Sequence, residues 1–345
     1  MTRRILAAFA AMLMLTACSA GAASSGSPSA SGTSAGGSAT AAVPTPTIGL
    51  TYIPNVQFSP FYVAEKDGEF TAAGVNPTLR HHGASEGLFT AIAAGHEQFV
   101  IAGGDELLQA RAQGLDLVAV SAYYHDYPAV VIVPEASAIT SLADLKGHTI
   151  GIPGKYGENW FALLVALQTA GLSEADVTIQ EIGYTQQAAL TTGKVDAIVG
   201  FSNNEAVQFD LGGLATRSLP IAEGQVPLVS ICLITTAAYA QANPEVVKAV
   251  AAAMLDGVTS TVADPDHALA VSADFVPGLS DTAAQQAARA TIVATTALWK
   301  DASGAVSGTL DAAQWSAMAD FMTAHGLIEG QVDPAAAMTN DFVAA

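Results

Sequence analysis

The sequence predicts an α/β protein of two lobes, each a mainly parallel sheet flanked by helices, joined by two hinge crossings and completed by C-terminal helices. Three observations carry that prediction. From Thr47 onward short apolar runs alternate with amphipathic stretches, the order of βαβ units and a parallel sheet. The alternation comes in two sets, divided where Pro134 stops an apolar run. After Asn243 the periodicity is helical, so the C-terminal part adds helices rather than strands.

Arg3 and Arg4 precede an apolar run from Ile5 to Leu15, and Leu15-Thr16-Ala17-Cys18 resembles the lipobox of bacterial lipoprotein signal peptides. Residues 1–18 are therefore expected to be a signal peptide cut before Cys18, with Cys18 lipidated. The run is too short for a stable spanning helix, which needs about 20 residues. The other possibility is a secreted protein that loses Cys18 with its signal. Residues 19–46 are almost entirely Ser, Gly, Ala, Thr and Pro. Such a stretch cannot offset the entropy of ordering and is expected to be a disordered tether reaching about 30 Å.

In the first set, Thr47–Tyr52, Pro77–His82, Gln98–Ala102 and Leu117–Ala122 read as strands, and Tyr62–Ala73, Glu86–Ala94 and Glu106–Gln113 as helices. Ala129–Val133 is a further strand. The second set has strands His148–Ile152, Val177–Ile182, Ala197–Phe201 and Thr216–Leu219 around helices Asn159–Ala170 and Gln186–Thr192. Leu228–Thr235 is strand-like, and Glu245–Val262, Asp266–Phe275, Thr282–Trp299 and Ala312–His325 are helical. If the second set is inserted in the first, residues 47–130 and 226–345 form lobe 1 and 131–225 lobe 2. The crossings then fall at Ala129–Pro134 and near Gln225–Ser230. That arrangement is a hinge with a cleft at the carboxyl ends of both sheets, where open α/β folds place ligands. Two sequential domains with a helical cap fit the same periodicity.

Twelve Lys and Arg face 31 Asp and Glu, a formal net charge of −19 that argues against nucleic acid or anionic lipid as partners. Any membrane contact is expected through the lipid anchor alone. With Cys18 acylated, Cys232 has no disulfide partner, so stability must come from packing. The 51% hydrophobic content suffices for a large core or two domains.

The stretch Thr51-Tyr-Ile-Pro-Asn-Val-Gln-Phe-Ser-Pro-Phe-Tyr-Val-Ala-Glu-Lys-Asp-Gly-Glu-Phe70 resembles the opening of solute-binding proteins in the NMT1/THI5-like group, which is related to the fungal thiamine-pyrimidine synthase. Ala143-Asp-Leu-Lys-Gly-His-Thr-Ile-Gly-Ile-Pro153 is similar to the start of the second lobe in such proteins, and Gly200-Phe-Ser-Asn-Asn-Glu205 fits the same group. The resemblance covers most of residues 47–300. It implies a type II periplasmic-binding-protein fold of the SsuA/THI5-like kind. It further implies an extracytoplasmic lipoprotein of the bacterial cell membrane, monomeric, that hands a small molecule to an ABC permease and its ATPase.

The residues point the same way, because loops after the strands concentrate aromatic, amide and carboxylate side chains. The expected ligand-binding set is Tyr52, Asn55, Phe58, Asp105, Tyr124, Tyr156, Glu158, Trp160, Asn204 and Glu205. Trp160 and one of the Tyr123–Tyr127 group would sandwich a flat heteroaromatic ring, each pair adding about 0.5–1.5 kcal/mol beyond area burial. Asn55, Asn204 and Glu205 would read its edge. The same residues have plainer readings: Trp160 as core, Asp105 as a helix cap, Phe61 and Tyr62 as core, and Tyr123 and Tyr124 divided between core and cleft. The loops bring Asp105, Asp126, Glu158 and Glu205 against only Lys155, which favours a neutral or weakly basic ring over an oxyanion. The resemblance suggests a thiamine pyrimidine precursor such as formylaminopyrimidine or hydroxymethylpyrimidine. A flavin such as riboflavin is the alternative, as are the sulfonates or nitrate carried by other members of the fold.

No enzyme is expected, and no metal or cofactor. The fungal relatives use lysine-bound pyridoxal phosphate and a histidine. Here none of the six lysines sits in a cofactor motif, and adjacent His81 and His82 on a strand should face opposite sides. His-Glu-x-x-His and phosphate-cradling glycine motifs are absent from the sequence. A surface adhesion or scaffold protein would leave the loop aromatics unexplained.

Overall fold

The alternating apolar runs become ten strands in two five-stranded sheets in the computed structural model, which describes residues 42–83, 86–221 and 228–343. The expected signal peptide, Cys18 and most of the expected tether lie outside those residues. The ladder begins earlier than composition suggests: Pro44 and Pro46 carbonyls accept from Asn76 and Thr78 N–H at 2.9 and 2.8 Å.

The first sheet contains β1 (Thr47–Leu50), β2 (Thr78–His81), β3 (Phe99–Gly103), β4 (Leu117–Ala122) and β10 (Ile231–Thr236), in the order β2-β1-β3-β10-β4. The second contains β5 (Ala129–Pro134), β6 (Thr149–Ile152), β7 (Thr178–Glu181), β8 (Ala197–Phe201) and β9 (Thr216–Pro220), in the order β7-β6-β8-β5-β9. The two orders are the same pattern. In each sheet one strand, β10 or β5, runs antiparallel to both neighbours and the other four share a direction. That exception is each time the first strand laid down after the chain leaves the other sheet. The first passage occupies residues 123–128, and β5 lies wholly within the second sheet.

Local chemistry sets the helix boundaries. The amphipathic stretch after Tyr62 is two helices, α1 (Ser59–Lys66) and α2 (Glu69–Ala72), parted at Gly68, whose φ of +83° ends a right-handed helix. Pro60 in the first turn of α1 moves its start ahead of Tyr62. α3 (Thr90–Ala93), α4 (Gly104–Ala112), α5 (Gly157–Thr169) and α6 (Gln186–Thr191) follow their strands. α7 (Glu205–Leu211) and α8 (Ala237–Ala242) are too short for periodicity to reveal. α9 (Pro244–Ala263), α10 (Pro265–Ser272), α11 (Thr282–Thr295) and α12 (Ala312–Ala324) complete the chain's helices among the described residues. A tail then runs along β4: Ala119 N–H donates to the Ala337 carbonyl at 2.9 Å, and Thr339 N–H donates to the Ala119 carbonyl at 3.0 Å.

Apolar clusters fill the faces of both sheets. Phe61, Tyr62, Phe99, Met254 and Trp299 pack under α1 and α9 on one face of the first sheet. On the other face Leu107, Trp315 and Met318 join α4 and α12, and the same cluster continues through Phe161 and Leu163 of α5 to Val131 and Ile150 of the second sheet. The halves are thus joined behind the cleft by continuous apolar packing. Ile198, Leu190 and Phe209 close the far face of the second sheet. Phe61 and Tyr62 are core residues, as the plainer reading held, and Trp299 and Trp315 are core as well. Cys232 is buried and free.

Candidate functional site

The carboxyl ends of the strands in both sheets open on one cleft, enclosing about 890 Å³ of space, part of it continuous with solvent. Of the ten expected residues, Tyr52, Phe58, Tyr124, Tyr156, Glu158, Asn204 and Glu205 line it. Asn55, Asp105 and Trp160 are not in the lining.

Each of those three is held by a local requirement. Asn55 caps the single turn Val56–Phe58, its Oδ1 accepting from Gln57 N–H at 3.0 Å. Asp105 is fully buried; Oδ1 accepts from Glu106 N–H at 2.7 Å and Oδ2 from the Tyr127 hydroxyl at 2.6 Å. Trp160 lies on the side of α5 that packs on the apolar cluster, with the Lys155 ammonium 4.9 Å above its ring. The ring sandwich expected across Trp160 therefore has no place in the cleft. Lys155 itself turns away to Glu174, 2.7 Å from Nζ.

Aromatic rings from both halves form the walls. Tyr52 follows β1, and Tyr184 follows β7. Their centroids are 4.4 Å apart at an interplanar angle of 66°, an edge-to-face pair that joins the two halves across the opening. Tyr123 and Tyr124 do not divide between core and cleft. They stack on each other at 4.9 Å, both are buried, and both reach the lining. The Tyr123 hydroxyl donates to the Gln57 carbonyl at 2.6 Å, which fixes the ring in depth. Burial holds the hydroxyls of Tyr52, Tyr123, Tyr124 and Tyr184 protonated far above their ordinary range.

Amides and carboxylates sit between these rings. Glu205 opens α7; Oε2 accepts from Phe201 N–H at 2.7 Å and Oε1 from Asn204 Nδ2 at 3.0 Å, while burial raises its pKa. Asn204 Oδ1 in turn accepts from Gln208 Nε2. Deeper, Glu106 and Glu158 occupy the first turns of α4 and α5. Glu106 Oε2 accepts from Gly103 N–H at 2.8 Å. Burial, then the charge of Asp105, pushes Glu106 up to about 8; burial, then the charges of Asp105 and Glu106, raises Glu158 as well. Asp105 is raised by burial to about 6, against the lowering effect of its bonds from Tyr127 and backbone N–H.

The two histidines diverge as strand geometry requires. His81 Nδ1–H donates to the Tyr52 carbonyl at 3.0 Å, leaving Nε2 to accept from the Tyr62 hydroxyl at 2.9 Å in a ring that burial keeps neutral. His82 faces the cleft, with Nε2 at 3.0 and 3.2 Å from the buried Glu97 carboxylate. Arg80 is committed to Glu97 and, through both oxygens, to Glu86 at 2.7 and 2.8 Å.

Tyr184, Asn159, Glu106 and His82 also line the cleft and lie outside the expected ligand-binding set. Tyr184 stands alone in a polar loop with no local pattern to mark it. Glu106 had a signal, a carboxylate just after the glycine pair at a strand end. No Lys or Arg lines the cleft among the described residues, and residues 84–85 and 222–227 include none either.

The family model described as NMT1/THI5 like matches residues 55–268. The chain is 36% identical over 303 residues to the riboflavin-binding protein RibY of Chloroflexus aurantiacus, covering 86% of this chain and 85% of that one. It is 25% identical over 293 residues to the formylaminopyrimidine-binding protein of Halalkalibacterium halodurans, covering 84% and 88% respectively. Its fold is that of the alkanesulfonate-binding protein SsuA from Xanthomonas axonopodis pv. citri bound to MOPS, with a TM-score of 0.67, 24% identity, and coverage of 87% of this chain and 99% of that one.

Proposed function

As the chain belongs to the NMT1/THI5-like family of solute-binding proteins, we propose that it captures a neutral, flat heteroaromatic nutrient, a riboflavin-type flavin, and delivers it to an ABC permease outside the cytoplasm. The observation that carries this reading is the cleft itself, walled by tyrosines from both halves and lined by carboxylates and amides with no cation. Oxyanions such as sulfonates or nitrate are a poorer match, because a buried anion needs a paired cation or free N–H donors. Riboflavin ranks ahead of a thiamine pyrimidine precursor because the similarity to the riboflavin-binding relative is the greater, 36% against 25%. The pyrimidine reading keeps one supporting observation, an acid-rich lining suited to exocyclic amino and amide N–H groups.

In this reading the halves part by rotation at the two passages between sheets and close on the solute, bringing Tyr52 and Tyr184 together over it. A micromolar site needs about −8 kcal/mol. Stacking on two or three rings with a few satisfied hydrogen bonds is sufficient. Cys18, if acylated, anchors the body to the membrane through the tether. The protein acts by binding rather than catalysis, in keeping with relatives that are named as binding proteins.

Titration of the purified protein with riboflavin, formylaminopyrimidine and hydroxymethylpyrimidine tests the assignment. A riboflavin dissociation constant of about a micromolar or below, a rise in melting temperature with riboflavin and a yellow preparation are expected. Micromolar binding of a pyrimidine without binding of riboflavin would reverse the ranking.

A further inference from the structure

α4 and α5 both begin at the cleft, one from each half, and a helix N-terminus is where backbone N–H groups and the helix dipole favour an anion. Both positions are already taken by the protein's own acids. Glu106 sits in the first turn of α4, accepting from Gly103 N–H at 2.8 Å, and Glu158 in the first turn of α5. Its other oxygen, Glu106 Oε1, lies 3.5 Å from where a side chain on Gly157, the first residue of α5, would begin. Glu106 thus reaches across from α4 to the start of α5, and both acids line the cleft.

A second observation shows that these acids await something. Glu106 and Glu158 are more than nine-tenths buried, they line the cleft, and each has its Oε1 without a hydrogen-bond partner. His82, equally buried in the lining, has Nδ1 unpartnered among the described residues, while its Nε2 lies 3.0 Å from Glu97. Buried acceptors left open are costly, so they mark where a bound solute places donors. The nearby Arg and Lys side chains are committed elsewhere: Arg80 is held by Glu86 and Glu97, and Lys155 by Glu174.

On the flavin reading above, we infer that Glu106 and Glu158 are a filter at the polar end of the solute, admitting a flavin whose chain ends in free hydroxyls and refusing its phosphate ester. A hydroxyl donates to the open carboxyl oxygens. A phosphate monoester brings a charge of about −1.5 to −2 into a buried site where the two anion-favouring helix ends are filled and no Lys or Arg lines the cleft among the described residues.

Riboflavin and its 5′-phosphate, titrated into wild-type protein, Glu106→Gln, Glu158→Gln and the double variant and followed by flavin fluorescence, test the filter. Wild type is expected to bind riboflavin on the order of a hundredfold more tightly than the phosphate. The double variant, in which each Gln keeps the size of the acid and supplies amide N–H donors that phosphate oxygens accept, is expected to narrow that ratio to about tenfold or less. Melting curves check that each variant folds, and if the double variant does not, the single variants and the wild-type ratio decide. Equal wild-type affinity for the two flavins, or an unchanged ratio in folded variants, overturns the filter and leaves the flavin reading standing. Binding of neither flavin overturns that reading and the filter with it.

Discussion

Glu106 carries its proton to about pH 8 in the folded protein, against an ordinary value of 4.5 in an unfolded chain. Between those values the native state holds more protons than the unfolded state, so stability is fullest below the lower value and declines as pH rises through the window. Glu158 and Asp105, also raised by burial, add slopes of the same sign. Glu106→Gln should therefore flatten the fall of melting temperature with pH in ligand-free protein, and melts across that range check it; parallel slopes would refute the buried-acid account. On the opposite wall, Tyr184→Ala removes the partner of Tyr52 and one face available to a ring. Solute affinity should drop about tenfold by calorimetry, equivalent to about 1.4 kcal/mol. Seven of the ten expected residues reached the lining because strand ends could be located from composition alone. Trp160 did not, because the phase of α5 sends it to the apolar cluster, and helix phase at a first turn is set by the cap rather than by periodicity.

At the scale of elements, the short strands tolerate little. A side chain on Gly49, mid-strand in β1, would begin 2.4 Å from Glu97 Oε2, and Glu97 is buried between β1 and the His82–Arg80 pair. Gly49→Ala is expected to push Glu97 out of that position and lower stability by about 1–3 kcal/mol. It should also loosen His82, so denaturant melts and solute affinity should fall together. The strands were legible from apolar runs almost to the residue, as in Leu117–Ala122 and Ala197–Phe201. α7 was not, because seven residues with a mixed pattern carry too few turns to show a period. Gly68 divides α1 from α2 for a reason visible only as a backbone angle.

The whole molecule depends on two sheets of the same order, each with one antiparallel strand, and on contacts that hold the halves together around the cleft. Asn203, between β8 and α7 of the second half, donates through Nδ2 to Thr295 Oγ1 at 2.8 Å and accepts from Gln57 Nε2 at 3.5 Å, both in the first half. It is buried but outside the lining. Asn203→Ala should favour the parted form and weaken solute binding by about fivefold, seen as faster release in stopped-flow measurements. Unchanged release would mean that apolar packing behind the cleft holds the halves without it.

Read alone, the sequence determined that this is a two-part α/β chain whose strand ends are rich in aromatic and acidic groups and poor in cations. Those properties follow from local periodicity and composition, which act over a few residues. Tertiary structure alone decided that β5 and β10 run against their neighbours, that Tyr52 meets Tyr184, and that Glu106 and Glu158 face one cleft with an oxygen each unpaired. Such pairings join residues tens to more than a hundred positions apart. They depend on how strands register and helices pack, and no local pattern encodes that.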